Sequence, residues 1–521
     1  MTKQPKQSAR LRILEAAFQE FADRGFEATT MRKVAKRAGC SLGLAYAYFP
    51  SKHGLGLALY RRVADEVERE IPNLPEGTVA ERFGALMEAK FGFLDAHRPT
   101  LTALIAAGID PTGPLGALSD ATAAIRSRNS AAFHAAVAGA TDAPKEFKDR
   151  AALGRLVYGI HLLLVLVWTQ DVEGRLARDV LRVACKVLAG AVPMILLPPI
   201  KAPLDRLDAA FGDRLTAAVS ADVEERAKIV VSRLMRHRRA LPSVGPVDEA
   251  AMAPHLVRVR AAVAEDRPLE LVLPGFPAKS PSPFKTLGPL PDMAERLALR
   301  SLQDLCDELA EAHPPGVTLT LCSDGGVFAD LVGVSDEDVI AYGEHIDALI
   351  EELPSVRRFD LPDAFGPMAP ADARARLMEG WSEDTEELRR RAREVPALRT
   401  LLDGLQRFLF EDRLGVDRRS RTQIRKSAGT DAIELLRRSR AWGRLVAFQF
   451  PDAVRLSIHP QPALSDKLGV HLVATADAWL TPWHGVALLG EDGFELVKRR
   501  DAEESQARLV LVDGRPSHYE R

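Results

Sequence analysis

The side chains best suited to chemistry lie in four short loops in the rear half of the chain. Leu269–Leu273 reads as a buried strand and runs into Pro274-Gly275-Phe276-Pro277-Ala278-Lys279-Ser280-Pro281-Ser282-Pro283-Phe284-Lys285-Thr286. Lysines on a proline-stiffened loop can clamp an anion at small ordering cost, which singles out Lys279 and Lys285. A second predicted strand, Val317–Cys322, ends in Ser323-Asp324-Gly325-Gly326-Val327-Phe328-Ala329-Asp330. Two carboxylates on a glycine turn suit acid–base or hydrogen-bonding work. A third, Val454–Ile458, leads to His459-Pro460-Gln461-Pro462, and Thr481-Pro482-Trp483-His484 precedes a fourth, Gly485–Leu489. Ligands in open α/β sheets bind outside the carboxyl ends of the strands, so these loops together imply one concave site. A lone histidine is more often a satisfied structural group than a catalyst; four such loops in one domain shift that balance toward a site.

The elements that must position these groups follow from composition. At roughly 150 residues per domain, 521 residues suggest about three domains. Hydrophobic residues at 46% and charged residues at 27% are the balance of a soluble globular chain and exclude collagen-like, mucin-like and wholly disordered readings. The net charge of −2 gives no global field. Residues 1–62 nevertheless carry twelve basic side chains against four acidic ones, a local excess of +8 that marks a polyanion-binding head. Proline divides the chain, with 8 of its 34 prolines in residues 1–192. The stretch Leu197-Pro198-Pro199-Ile200-Lys201-Ala202-Pro203 reads as a stiff linker. Before it helical periodicity dominates. After it come helical stretches near 205–218 and 222–238, then strands alternating with helices. The expected organisation is a basic helical head over 1–62, a second helical domain over 63–196, a connector over 197–224 and an α/β domain over 225–521. Cys40, Cys185, Cys306 and Cys322 form no CxxC pair, so neither a zinc site nor a disulfide framework is expected. The first residues lack the apolar core of a secretory signal, and the run Ile160–Trp168, broken by His161, is too short to span a bilayer. The expectation is a cytoplasmic protein with no membrane partner.

In the head, Leu11, Leu14, Ala17, Phe18 and Phe21 recur at helical spacing and Gly25 closes the helix. Thr30 is placed to cap Met31–Ala38, Gly39 turns the chain, and Ser41 is placed to cap Leu42–Phe49. Two short helices across a tight glycine turn make a helix-turn-helix, whose second helix reads bases. The segment TTMRKVAKRAGCSLGLAYAYFPSKHGL resembles the TetR family of transcriptional repressors through Thr30, Val34, Ala35, Ala38, Gly39, Ser41, Gly43, Tyr46, Phe49, Lys52 and Leu55. The resemblance implies that the domain over 1–62 binds DNA, that the domain over 63–196 binds an effector and dimerises, and that the chain is a homodimer on double-stranded operator DNA. Thr30, Arg32, Ser41, Tyr46, Tyr48 and Lys52 are the candidates to meet DNA, and Leu42 opens the reading helix. That helix is poor in Arg, Asn and Gln, so direct readout should rest on apolar contacts and tyrosine hydroxyls.

The runs LPGFPAKSPSPFKTLGPLPDMAERLAL, LCSDGGVFADLVGVSDEDVIAYG, RLSIHPQ, TPWHGVAL and GRPSHYE resemble, in order, the pyoverdine/dityrosine biosynthesis family, whose bacterial members of this type are isonitrile synthases. The similarity spans roughly 225–521. With the periodicity above, the expected fold is an all-α front of helix-turn-helix and helical bundle followed by an α/β domain with a mostly parallel sheet. The resemblance implies that the amine of an amino acid, usually tyrosine or tryptophan, condenses with the ketone of ribulose 5-phosphate, whose carbonyl carbon stays on nitrogen. Neither metal nor redox cofactor is expected. On this reading Lys279 and Lys285 hold the phosphate, or a desolvated lysine forms a Schiff base with the ketose. Arg455 meets an anion, with Ser280 and Ser323 as further substrate contacts. Asp324, Asp330, His459 and His484 are the acid–base candidates, and Trp483 and Phe328 wall an aromatic substrate. The family's usual Ser-Asp-Gly-Arg-Val-Phe carries Gly326 in place of its arginine here. A regulator whose rear half senses sugar phosphate or isonitrile without turnover is the alternative.

Overall fold

A computed structural model gives the fold and describes residues 9–109, 113, 115–116, 119–171, 173–195, 197, 201–202, 205–206, 221–239, 249–414, 416–462, 465–477 and 479–521. The front opens with α1 (Ala9–Arg24), α2 (Met31–Arg37), α3 (Leu42–Tyr48) and α4 (Lys52–Glu70). Leu11, Leu14, Ala17 and Phe21 of α1 are buried, and Gly25 ends the helix at φ +80°. Thr30 Oγ1 accepts from the Lys33 amide at 3.3 Å and Ser41 Oγ from the Leu44 amide at 3.1 Å, the two caps expected from sequence. A bundle follows: α5 (Val79–Ala96), α6 (Arg98–Ile109), α7 (Ala123–Ala138), α8 (Phe147–Gln170) and α9 (Arg175–Ala191). The apolar run at 160–168 is only the second half of α8. At 24 residues this helix is long and apolar enough to cross a membrane by length and composition, which corrects the sequence argument from run length. Inside the bundle Lys90 of α5 donates to His161 of α8, both buried, with the Phe133 ring stacked on His161 at 4.5 Å. Burial lowers the Lys90 ammonium to about 7. Most of the expected linker and of the helix near 205–218 lies outside the described residues.

The rear half begins with α10 (Ala221–Arg236) and α11 (Glu249–Ala264). Then strands and helices alternate: β1 (Leu269–Gly275), α12 (Met293–Ala312), β2 (Val317–Ser323), α13 (Gly325–Val332), α14 (Asp336–Ile350) and β3 (Val356–Phe359). Five helices intervene, α15 (Leu361–Phe365), α16 (Pro370–Trp381), α17 (Thr385–Glu394), α18 (Pro396–Arg413) and α19 (Arg421–Gln449), before β4 (Val454–Ser457) and β5 (Lys467–Gly469). These strands form one parallel sheet in the order β3-β2-β1-β4-β5. The chain steps outward from β1 in both directions, so the crevice where a ligand enters such a sheet lies beyond the carboxyl ends of β1 and β4. The expected strand at 485–489 belongs elsewhere. It is β6 (Val486–Gly490), which joins β7 (Gly493–Val497), β8 (Arg508–Val512) and β9 (Arg515–Glu520) in a separate mixed sheet, with α20 (Arg499–Glu504) between β7 and β8.

Strand alternation divides the parallel sheet into two faces. Leu271, Leu273, Leu319 and Leu321 pack with α10, α11 and α12. Val272 and Cys322 point the other way, into an apolar core that continues through Trp442 of α19 to α4 and α1. One core therefore serves both the helical front and the sheet.

The seam between the two is charged. The last two turns of α4 bury four carboxylates, Asp65, Glu66, Glu68 and Glu70, and each meets an arginine of the rear half. Asp65 lies 2.7 Å from Arg455 of β4, Glu66 3.2 Å from Arg444 of α19, and Glu70 3.4 Å from Arg440 of α19. Glu68 pairs with Arg258 of α11 and, at 2.9 Å, with Arg128 of α7. Desolvating carboxylates is costly, and only partners as close as these offset the cost. The helix that follows the helix-turn-helix is thus built into the sheet-bearing half.

Candidate active site

The loop after β1 is pinned on three sides. The Ser280 amide donates to the Trp483 carbonyl at 2.9 Å, Ser323 Oγ donates to the Phe276 carbonyl at 2.9 Å, and Trp483 packs on the Phe276 ring at 5.2 Å. A first side-chain carbon on Gly325 would lie 1.9 Å from the Pro277 carbonyl oxygen, so only glycine lets the loops after β1 and β2 approach this closely. Position 326 has more room, with Leu361 3.4 Å from such a carbon. Arg374 of α16 donates to the Gly326 carbonyl at 3.3 Å, but its charge is committed to Asp336 at 2.8 Å.

The two loop lysines lie in different surroundings. Lys279 is buried, and its Nζ meets Asp292 at 2.9 Å, Glu295 at 2.8 Å and the Pro482 carbonyl at 3.1 Å. Two carboxylates and a carbonyl thus surround its ammonium. Burial, with Asp292 alongside, lifts Glu295 to about 7 against the pull of Lys279. Lys285 reaches Asp412, a buried carboxylate at the end of α18. Ser280 Oγ donates to the other Asp412 oxygen at 3.1 Å, and His484 Nε2 lies 3.7 Å from it. His484 is oriented by Thr481 Oγ1, 2.8 Å from its Nδ1, and by the edge of Phe408 at 5.0 Å. Burial lowers His484 to about 4, and Lys285 and Lys279 add to this while Asp412 opposes it, so the imidazole is neutral at pH 7. A neutral imidazole beside a buried carboxylate and a lysine can take a proton from an incoming ammonium while the lysine faces an anion.

Asp324 caps the carboxyl end of β2. Burial raises its carboxyl to about 7, and one of its oxygens has no hydrogen-bond partner. His459, at the end of β4, is likewise lowered to about 4 by burial, with Arg239 and His484 adding to it, and lies 5.5 Å from the Trp479 ring. The remaining expected residues face other partners. Asp330 is exposed and held by Arg438 at 2.7 Å. Arg455 is spent on Asp65 and on Asp466 at 2.8 Å. Phe328 packs partly buried against α18 and α19. Sequence reasoning passed over Asp412, Thr481 and Phe408, and also Lys467, the first residue of β5. Asp412 ends an ordinary amphipathic helix 127 residues from its lysine, so no local pattern announces it.

In the head, Thr30, Arg32 and Ser41 are exposed, Tyr46 and Tyr48 keep 46% and 43% of their surface, and Leu42 is half-buried. Lys52 instead donates to the Phe26 carbonyl at 2.9 Å and covers the Phe26 ring.

The profile of the pyoverdine/dityrosine biosynthesis protein family matches residues 259–510, and that of bacterial regulatory proteins of the tetR family matches residues 13–59. An L-tryptophan isonitrile synthase of Fischerella ambigua is 38% identical over 297 residues, covering 56% of this chain and 90% of that protein. The chain belongs to the pyoverdine/dityrosine biosynthesis family. Within that family an L-tyrosine isonitrile synthase of Pseudomonas aeruginosa is 42% identical over 303 residues, 56% of this chain and 92% of its own length. The crystal structure of the PvcA protein from the same organism superimposes with a TM-score of 0.54 at 39% identity, covering 57% of this chain and 99% of that one. The pyoverdine/dityrosine module thus occupies the rear half, and a tetR-family domain precedes it.

Proposed function

We propose that the protein joins a DNA-binding regulator to an isonitrile synthase that acts on an amino acid, L-tyrosine or L-tryptophan, with ribulose 5-phosphate as carbon donor. The observation that carries this reading is the group Ser280, Lys285, Asp412 and His484 at the switch point of the parallel sheet, with the raised carboxyl of Asp324 on the neighbouring strand end. His484 takes a proton from the amino acid's ammonium, Lys285 faces its carboxylate or the sugar's phosphate, and Asp324 supplies the proton that lets a carbinolamine lose water. Lys279 and Arg455 act through the partners that hold them. Incubating the full chain with either amino acid and ribulose 5-phosphate should give an isonitrile infrared band, and Asp324→Asn should slow its formation by about 10²-fold or more. No product from any amino acid would favour the alternative, a non-catalytic sensor.

For the front we propose a homodimer on operator DNA. Leu163 and Leu166 on α8 and Leu176, Val183 and Val187 on α9 are 44–64% exposed and supply an apolar face for a second copy. The buried Lys90–His161 pair sits in the region we assign to effector binding. A mobility shift with the DNA upstream of the protein's own gene should weaken steeply with salt, because phosphate contacts dominate such binding. Binding indifferent to salt, or none, removes the DNA claim.

A further inference from the structure

We propose that Lys467 captures the carbonyl carbon of the sugar phosphate as a protonated imine before the amino acid's amine displaces it. This rests on the synthase reading above and names the nucleophile within it.

Elimination is the first argument. The loop lysines are occupied, Lys279 by two carboxylates and a carbonyl and Lys285 by Asp412. Among the described residues Lys467 Nζ has neither a hydrogen bond nor an ion pair. Position is the second. Lys467 is paired in register with Arg455, and Arg455 with Val272, so its side chain shares the sheet face that carries Val272 and Cys322. Asp324 follows Cys322 by two residues at the end of β2, and the charge of Lys467 is felt at its carboxyl. Asp324 also keeps one buried oxygen without a partner. A lysine and a protonatable acid therefore share one side of the sheet, near enough for the charge of the first to act on the second.

The protonation states agree with this use. Burial lowers the Lys467 ammonium, and the guanidinium groups of Arg455, Arg69 and Arg440 push the same way, while Asp466 opposes them. A lysine desolvated among cations keeps more of the free amine that attacks carbonyls. The step balances without an oxidant. Nζ adds to the ketone carbon, the carbonyl π electrons go to oxygen, and the resulting hydroxyl leaves as water with a proton from Asp324. The amino acid's amine then adds to the same carbon, and Lys467 leaves as the amine.

The test uses the full chain with ribulose 5-phosphate and cyanoborohydride, followed by peptide mass spectrometry. The expected result is a reduced sugar-phosphate adduct on Lys467 that falls when tyrosine or tryptophan is added to compete. Lys467→Arg should abolish the adduct and lower isonitrile formation by at least a hundredfold, while the melting temperature and operator binding stay at wild-type values. Absence of an adduct, or an adduct confined to Lys279 or Lys285, overturns the proposal, as does a Lys467→Arg enzyme with more than a tenth of wild-type turnover. Because trapping is read on the wild-type chain, a poorly folded variant does not blur the outcome. An adduct on Lys467 without isonitrile leaves the capture standing and sinks the synthase reading. Isonitrile without the adduct does the reverse.

Discussion

Glu68→Ala is expected to destabilise the chain by about 3–5 kcal/mol, because it leaves Arg128 and Arg258 buried without their shared carboxylate. Both guanidinium groups are nearly inaccessible, with side-chain exposures of 4% and 2%, so water cannot replace the lost partner. The loss should appear as a lower melting temperature of front and rear together, since one apolar core serves both. The pH dependence follows from the sign of the shift. Burial pushes the Glu68 carboxyl up, but Arg128 and Arg258 outweigh it and hold the group far below the usual carboxylate range. A carboxyl whose folded value lies below its unfolded value stabilises the fold above roughly pH 4 and loses that contribution as pH falls toward the folded value. Glu66, held at about 2 by Arg69 and Arg444 against burial, adds to the same acid loss. Acid titration of stability should therefore be shallower in Glu68→Ala than in wild type. A variant that melts within a degree of wild type would show the seam to be loose.

Asp412→Asn should reduce isonitrile formation by about 10²–10⁴-fold while leaving operator binding unchanged. One buried carboxylate organises three groups, Lys285, Ser280 and His484, and the amide keeps its shape but not its charge. Lys285 loses its anchor, and His484 loses the negative charge that opposes the effect of burial on its ionisation. The acid limb of the pH–rate profile, set by protonation of His484 near 4, should move lower in the variant. Turnover within threefold of wild type would remove the cluster from the mechanism and leave Asp324 and His459 as the acid–base pair to test.

How much of this was legible beforehand depends on distance along the chain. The helix-turn-helix was readable because its signals are local: glycine after α1, and hydroxyl caps one residue ahead of α2 and α3. The central strands β1, β2 and β4 were readable because an aliphatic side chain recurs at every second position, Leu269, Leu271 and Leu273, Val317, Leu319 and Leu321, Val454 and Leu456, with turn residues following. β3 and β5, four and three residues long and bearing arginines and a lysine, carry no such repeat. Arg455 looked like an anion receptor because a cation at a strand beside a loop site is what an anion would need. Its actual partner, Asp65, lies 390 residues earlier on a helix assigned to another domain. Lys279 looked free for the same reason, since nothing near it in sequence announces Asp292 and Glu295 as its counter-charges. The fold class rests on periodicity, which is local. The pairing of charges rests on topology, which is not.

The acidic end of α4 has a practical consequence. A fragment begun after the proline-rich segment would strip Arg258 of its carboxylate and leave Arg440 and Arg444 to share Glu383 and Arg455 with Asp466 alone, beside a bared apolar sheet face. A truncated front would expose the reciprocal cluster of anions. Scissors are thus the wrong instrument for apportioning the two proposed activities between the halves of this chain. Single substitutions in the intact polypeptide are the measurements that report on one half without unmaking the other.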